Sequence, residues 1–199
     1  MVNLVIERQI PLAYLHPANV ANSIYAGPDA PSIFDIKLKE NIMQQISPFL
    51  WFENQAEEAM NFYLSVFKDS KVNRVTRYGD AGPGKPGSVL TVEFSLNGTD
   101  FYAINGGPMF KFSPATSFFI HCQTQEEVDH YWDKLGEGGK TNQCGWLDDK
   151  FGVTWQVVPD IMGKYLNDPD RKKANAAMQA MMQMTKLDIA KLKQAYEQA

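Results

Sequence analysis

Few side chains in this sequence are equipped for acid–base, nucleophilic or metal chemistry, and they are dispersed. Of the three histidines, His121 in "SFFIHCQT" lies within a strand-like run. An imidazole titrates near neutrality, so His121 could serve as a general base toward a bound ligand. It has no evident carboxylate or nucleophile partner, and the alternative is a strand-end histidine bonded to backbone or water. Catalysis is therefore left unassigned, with His121 its one candidate. His130 falls on the polar side of a helical stretch and is expected to be solvated; His16 belongs to an irregular segment. The cysteines, Cys122 and Cys144, form no CxxC and have no histidine at ligand spacing. Neither a disulfide framework nor a zinc site is indicated. Cys122 alternates with His121, so the two point to opposite sides of a strand, and Cys122 reads as a buried, inert thiol. Cys144 lies in the loop "NQCGW" with no visible activating neighbour. The pairs Glu57–Glu58 and Glu126–Glu127 open helices, where the helix dipole accounts for them. One polar side chain is out of pattern: Gln156, inside the apolar run "TWQVVP".

The elements that must carry these residues follow from periodicity. "ISPFLWF" reads as a strand. "QAEEAMNFYLSVF" has helical spacing, with Ala59, Phe62, Tyr63 and Val66 on one face. "KVNRVTRYG" and "SVLTVEFSLNG" are strands separated by the turn-rich "DAGPGKPG", and "NGT" makes a hairpin into "DFYAINGG". "TSFFIHCQT" is a further strand, "QEEVDHYWDKL" a helix ended by "GEGG", and "DDKFGVTWQVVP" a turn and a last strand. The C-terminal part is helical. In "DPDRKKANAAMQAMMQM", Ala174, Met178, Met181 and Met182 share a face, read as packing on the sheet or on a dimer mate. In "TKLDIAKLKQAYEQA", Thr185 is the expected N-cap.

Residues 1–44 carry prolines and small polar residues without sustained period, and read as an irregular N-terminal extension. Met43 is a candidate natural start. Residues 45–165 form the expected domain, with modules at 45–110 and 115–160, and residues 166–199 a helical tail. Hydrophobic residues make up 44% of the 199-residue chain, enough for a core. The 19 basic and 23 acidic side chains leave a formal charge of −4 with no Lys/Arg run, which argues against nucleic acid as a partner. No apolar run reaches the length of about 20 residues a spanning helix needs. Without a secretory pattern, and with free thiols, a cytoplasmic location is the expectation.

The two modules are similar to each other. With one gap after Gln55, "SPFLWFENQAEEAMNFYLSV" lies over "SFFIHCQTQEEVDHYWDKL". Ser47 meets Ser117, Phe49 meets Phe119, Trp51 meets His121 and Gln55 meets Gln125. "NGTDFYAING" lies over "FGVTWQVVPD", so that Gly98 meets Gly152, Phe101 meets Trp155 and Tyr102 meets Gln156. The chain thus reads as strand–helix–strand–strand–strand, twice. One such unit leaves a sheet face bare, and pairing two units closes a cup.

On the stretches "LWFENQAEEAMNFYLSVF", "VTRYGDAGPGKPGSVLTVEFSLNG", "FYAINGGP", "TQEEVDHYWDKL" and "CGWLDDKFGVTWQVVP", the chain resembles the PhnB-like family of the vicinal oxygen chelate (glyoxalase/bleomycin resistance/dihydroxybiphenyl dioxygenase) superfamily. The tail also looks like that family, so the resemblance runs over about residues 45–195. It implies an α+β, glyoxalase-like fold: two βαβββ modules forming a curved mixed sheet around a cup, with C-terminal helices. Relatives often carry the label 3-demethylubiquinone-9 3-methyltransferase. Methyl transfer needs a nucleotide-type cofactor site, usually a glycine-rich turn between a strand and a helix. "GDAGPGKPG" lies between strands, "GEGG" after a helix and "INGGP" at a strand end, so no cofactor is expected.

Enzymes of the superfamily hold a divalent metal with His and Glu from the first and last strands of each module. By the resemblance and the repeat, those positions here are Ser47, Tyr102, Ser117 and Gln156. All four are neutral, weak donors for such an ion, and no metal is expected there. Strand alternation adds Phe49, Trp51, Phe119, His121 and Thr154 to the cup, giving an aromatic lining with a few hydrogen-bonding groups. The expected function is metal-free binding of a small aromatic or oxygenated molecule by a homodimer. The alternative is a glyoxalase-superfamily enzyme (lyase, isomerase or dioxygenase type) on a small oxygenated substrate, and a quinone-related methyltransferase ranks below both.

Overall fold

Alternation of apolar residues over four to eight positions, broken by glycine turns, builds the first half of the domain. The computed structural model of the protein describes residues 46–199. Met43 and His16 lie outside the described residues. The first module runs β1 (Phe49–Phe52), α1 (Ala56–Val66), β2 (Ser70–Arg77), β3 (Val89–Leu96) and β4 (Thr99–Asn105). The second runs β5 (Phe118–Cys122), α2 (Gln125–Gly136), β6 (Lys140–Thr141), β7 (Trp146–Asp148) and β8 (Thr154–Pro159). Three helices follow: α3 (Ile161–Leu166), α4 (Arg171–Met182) and α5 (Ile189–Glu197). This is the α+β, paired-βαβββ arrangement expected from the sequence.

The two sheets have the same topology. Their strand orders are β1-β4-β3-β2 and β5-β8-β7-β6, with the first pair parallel and the others antiparallel. The internal repeat extends to register: Phe49 pairs with Tyr102, and Phe119 with Gln156. The turn glycines agree as well, since Gly98 and Gly152 both take positive φ, at 81° and 85°, a region open to glycine without Cβ strain.

One face of each sheet is covered by its helix. Leu50, Phe52, Val92, Phe94, Phe101 and Ala103 pack beneath Ala59, Met60, Tyr63 and Val66 of α1, while Ile120, Trp155 and Val157 pack beneath α2. Both sets belong to one core, joined across the seam between modules by aromatic contacts. Phe101 meets Phe118 edge-on at 5.3 Å, and Tyr63 meets Trp155 at 5.4 Å. A second apolar cluster (Met162, Tyr165, Ala177, Leu187 and Leu192) joins the C-terminal helices, with Val158 of β8 packed against it.

Three local expectations are corrected. Asp188, not Thr185, is the N-cap of α5, its carboxylate accepting from the Lys191 amide at 3.0 Å. The Thr185 carbonyl instead accepts from the Gly145 amide, holding the tail to the loop before β7. On α4 the buried positions are Ala174 and Ala177, while Met178 and Met182 face outward. Small alanines allow close helix packing, which turns the larger methionines away. His130 is not a solvated side chain: its Nε2–H donates to the Val66 carbonyl at 2.8 Å, capping the end of α1 from the other module.

Candidate functional site

The uncovered faces of the two sheets carry most of the residues singled out above, in two groups. On the first sheet, one row crosses four strands in register: Phe49, Tyr102, Glu93 and Arg74. The Phe49 and Tyr102 rings lie parallel, 2° apart in plane with centroids 6.1 Å apart. Glu93 is largely covered and pairs with Arg74 at 3.2 Å. Trp51 is fixed by its Nε1–H donating to the Gly107 carbonyl at 2.9 Å and by an edge contact with Phe110 at 5.0 Å. Gly106 lies so close to it that a Cβ there would stand 2.2 Å from the Trp51 ring. Ser47 precedes β1 and is half-buried.

On the second sheet the equivalent row is Phe119, Gln156 and Trp146. The Gln156 Nε2 donates to the Ser117 hydroxyl at 2.8 Å, which leaves the amide oxygen as its unused acceptor. Thr154 does not join this surface. It is buried, and its hydroxyl donates to the Asp148 carboxylate. A strand-terminal threonine beside an acceptor gains more from that bond than from an open face. Among the described residues, no hydrogen bond or ring stacking links the first group to the second.

His121 has a partner that linear spacing hid. Its Nδ1 stands 2.8 Å from the Asp160 carboxylate, 39 residues on, because β5 and β8 are parallel neighbours and Asp160 follows β8. Asp160 is itself anchored, its amide donating to the Cys122 carbonyl at 2.8 Å. A carboxylate can only accept, so Nδ1 carries the proton, and in the neutral ring Nε2 is left as an acceptor. The Phe119 and His121 rings are 4.8 Å apart.

Other residues with structural roles escaped the sequence reading. Asp149 is buried and accepts four bonds: Tyr63 hydroxyl (2.8 Å), Trp155 Nε1–H (2.9 Å), and the amides of Phe151 (2.9 Å) and Val153 (3.0 Å). Burial raises its carboxyl above the ordinary value, against those donors, which lower it. Tyr63 is also raised, first by burial and then by Asp149. Asn105 caps α1 from β4, its Oδ1 accepting from the Ala56 amide at 2.8 Å. Cys122 is buried as expected, and burial, with Glu127 and Asp160 nearby, pushes its thiol up to about 12.

The four positions that the resemblance assigns to metal ligands, Ser47, Tyr102, Ser117 and Gln156, do not fit a divalent ion. Their donors are two serine hydroxyls, a phenol and an amide, and one hydroxyl is already bonded to the amide. Such groups give no charge to offset the cost of removing the ion's water. Among the described residues no three His, Cys, Asp or Glu side chains gather at metal-binding distance.

Comparison with known proteins agrees with the architecture. The family model described as 3-demethylubiquinone-9 3-methyltransferase matches residues 44–158, ending before the helical tail. Among solved structures, the PhnB protein from Bacillus cereus, named as a 3-demethylubiquinone-9 3-methyltransferase, is 41% identical. The match covers 58% of this chain and 99% of that one, with a TM-score of 0.55. Protein PA1353 from Pseudomonas aeruginosa is 20% identical over 59% of this chain and 98% of its own, with a TM-score of 0.50, a likeness of fold. No curated protein matches.

Proposed function

Since the chain belongs to the 3-demethylubiquinone-9 3-methyltransferase family, the PhnB-like branch of the vicinal oxygen chelate superfamily, we propose that it binds a small planar, oxygenated molecule without a metal, as a homodimer. One observation carries this reading: large apolar rings stand exposed on the uncovered sheet faces, Phe49 at 59%, Phe119 at 49% and Tyr102 at 36%. Exposed aromatic rows of this kind fit a partner or a ligand. A second copy laid over these faces closes them into a cup, with Trp51 adding to its aromatic wall and Ser47, Ser117 and Gln156 supplying its polar edge. Rings stack on a flat ligand there, and the free amide oxygen of Gln156 accepts from a ligand hydroxyl.

Methyl transfer is not part of the proposal. Among the described residues, the glycine-rich stretches follow β2, β4 and α2, and none opens a helix. A nucleotide-type cofactor site usually has its glycine-rich turn between a strand and a helix.

The test has two arms. Sedimentation equilibrium at micromolar concentration is expected to give a dimer. Titration with 1,5-dihydroxynaphthalene, followed by NMR, is expected to shift resonances of Phe49, Tyr102 and Gln156. A monomer, or shifts that avoid those residues, rejects the reading. The purified protein is also expected to carry no equimolar divalent metal by elemental analysis; a metal lost on Gln156→Ala would reject the metal-free assignment.

A further inference from the structure

A cleft of about 410 Å³ lies along the seam between the modules, apart from the Phe49–Tyr102 row. Its apolar lining includes Phe67, Phe101, Phe118 and Trp155, and the β3–β4 hairpin contributes Asn97 and Thr99. The rings support one another. Phe118 lies 5.3 Å from both Phe101 and Trp155, and Phe67 lies 5.5 Å from Trp155. The wall is therefore a braced aromatic surface built from both modules.

His121 and Phe119 stand among the lining residues. An exposed His–Asp pair alone is worth little, since solvent screens it. Here the histidine of the pair, itself exposed, borders an apolar cleft and can meet a ligand that covers it. The Asp160 amide is held by the Cys122 carbonyl and the residue opens α3, so its backbone is fixed at the end of β8. Its carboxylate orients the imidazole and assigns the proton to Nδ1, which leaves Nε2 as an acceptor on a ring 4.8 Å from that of Phe119.

We propose that this seam cleft is a second ligand site, for a planar aromatic molecule bearing a hydroxyl donor, with His121 Nε2 accepting the hydroxyl hydrogen and Asp160 positioning the ring. The ligand class follows from the lining: aromatic walls select a flat apolar body, and an oriented acceptor selects a donor at its edge over an ether. This goes beyond the open-face reading: Phe119 borders both sites, but the cleft needs neither the Phe49–Tyr102 row nor a second copy.

The full chain is titrated with 1-naphthol and with 1-methoxynaphthalene, which keeps the ring and lacks the donor. NMR shifts locate each probe. The expected result is 1-naphthol binding with shifts at Phe118, Thr99 and His121, about tenfold tighter than the ether. His121→Phe, at an exposed position, is expected to bring the two affinities within about twofold while keeping the apolar contact. Asp160→Ala is expected to weaken 1-naphthol several-fold and leave the ether unchanged. Equal affinity for the two probes in the wild-type protein overturns the proposal. So does discrimination that survives in His121→Phe, or shifts confined to Phe49 and Tyr102. The last outcome leaves the open-face site standing, so the two readings fail separately.

Discussion

Asp149 is the residue on which the joint between the modules depends most directly. It collects a hydroxyl from α1 of the first module and an indole N–H from β8 of the second. Removing the carboxylate leaves two buried side-chain donors and two amides without their acceptor. Asp149→Ala is expected to cost about 3 kcal/mol or more in urea unfolding, because unsatisfied buried donors carry a full desolvation penalty. Tyr63→Phe, which removes one bond and its donor together, should cost about 1 kcal/mol. The sign of the pH effect follows from the raised carboxyl. The folded state holds the Asp149 proton to higher pH than the unfolded chain does. Its protonation thus adds stability that is fully present below the ordinary value of 3.8 and lost as pH rises through the folded value. The cysteines give a second contrast. Cys122, buried and pushed up to about 12, should resist iodoacetamide in the native protein, whereas the half-exposed Cys144 reacts. Peptide mapping after brief labelling checks this, and fast labelling of Cys122 would contradict its buried placement.

At the level of elements, Gln125 shows how the tail is secured. Its Oε1 accepts from the Ile189 amide at 2.9 Å, satisfying the first N–H of α5, and its Nε2 donates to the Leu187 carbonyl at 3.2 Å and to Asp129 at 3.1 Å. Lys186 reaches Asp129 and Asp133, each at 3.0 Å. Gln125→Ala is expected to weaken the docking of α5 by about 1–2 kcal/mol. Amide exchange should quicken in residues 189–197 and stay unchanged in β3 and β4. The Lys186 and Gln125 hydrogen bonds hold the Asp129 carboxyl below the ordinary value of 3.8. A depressed carboxyl contributes above that value and loses its contribution as pH falls through the lower folded one. Protection of α5 should accordingly decline at the acid end, below about pH 4. Unchanged α5 exchange in Gln125→Ala would show that Leu187 and Leu192 alone hold the tail.

For the molecule as a whole, the exposed aromatic faces and the braced seam make different demands. The aromatic walls of the seam already brace one another within one chain. The faces are not, and Phe49→Lys tests what covers them. Phe49 is 59% exposed, so the substitution should leave the melting temperature of the isolated chain nearly unchanged. A lysine charge in a closed face-to-face contact is costly, so the dimer expected above should shift to monomer. A Phe49→Lys variant that still sediments as a dimer would place the interface elsewhere.

Much of this architecture was legible in the amino-acid order, and the reason is local. Two-residue alternation in "SVLTVEF", helical spacing in "EEAMNFYLSV", and the matched glycines 98 and 152 are short-range signals, and the repeat multiplied them by two. It also aligned Phe49 with Phe119 and Tyr102 with Gln156, and the two sheets pair these residues in matching registers. What stayed hidden depends on long-range pairing. His121 looked solitary because Asp160 is 39 positions away and meets it through the parallel β5–β8 ladder. Thr154 kept the correct strand parity, yet a neighbouring carboxylate drew its hydroxyl inward. Asp149 read as one more turn residue in "LDDKFG", and the burial that makes it the junction acceptor arises only when α1 packs against β8. Periodicity reports which side of an element a residue faces; what stands on that side is settled by the packing of elements distant in the chain.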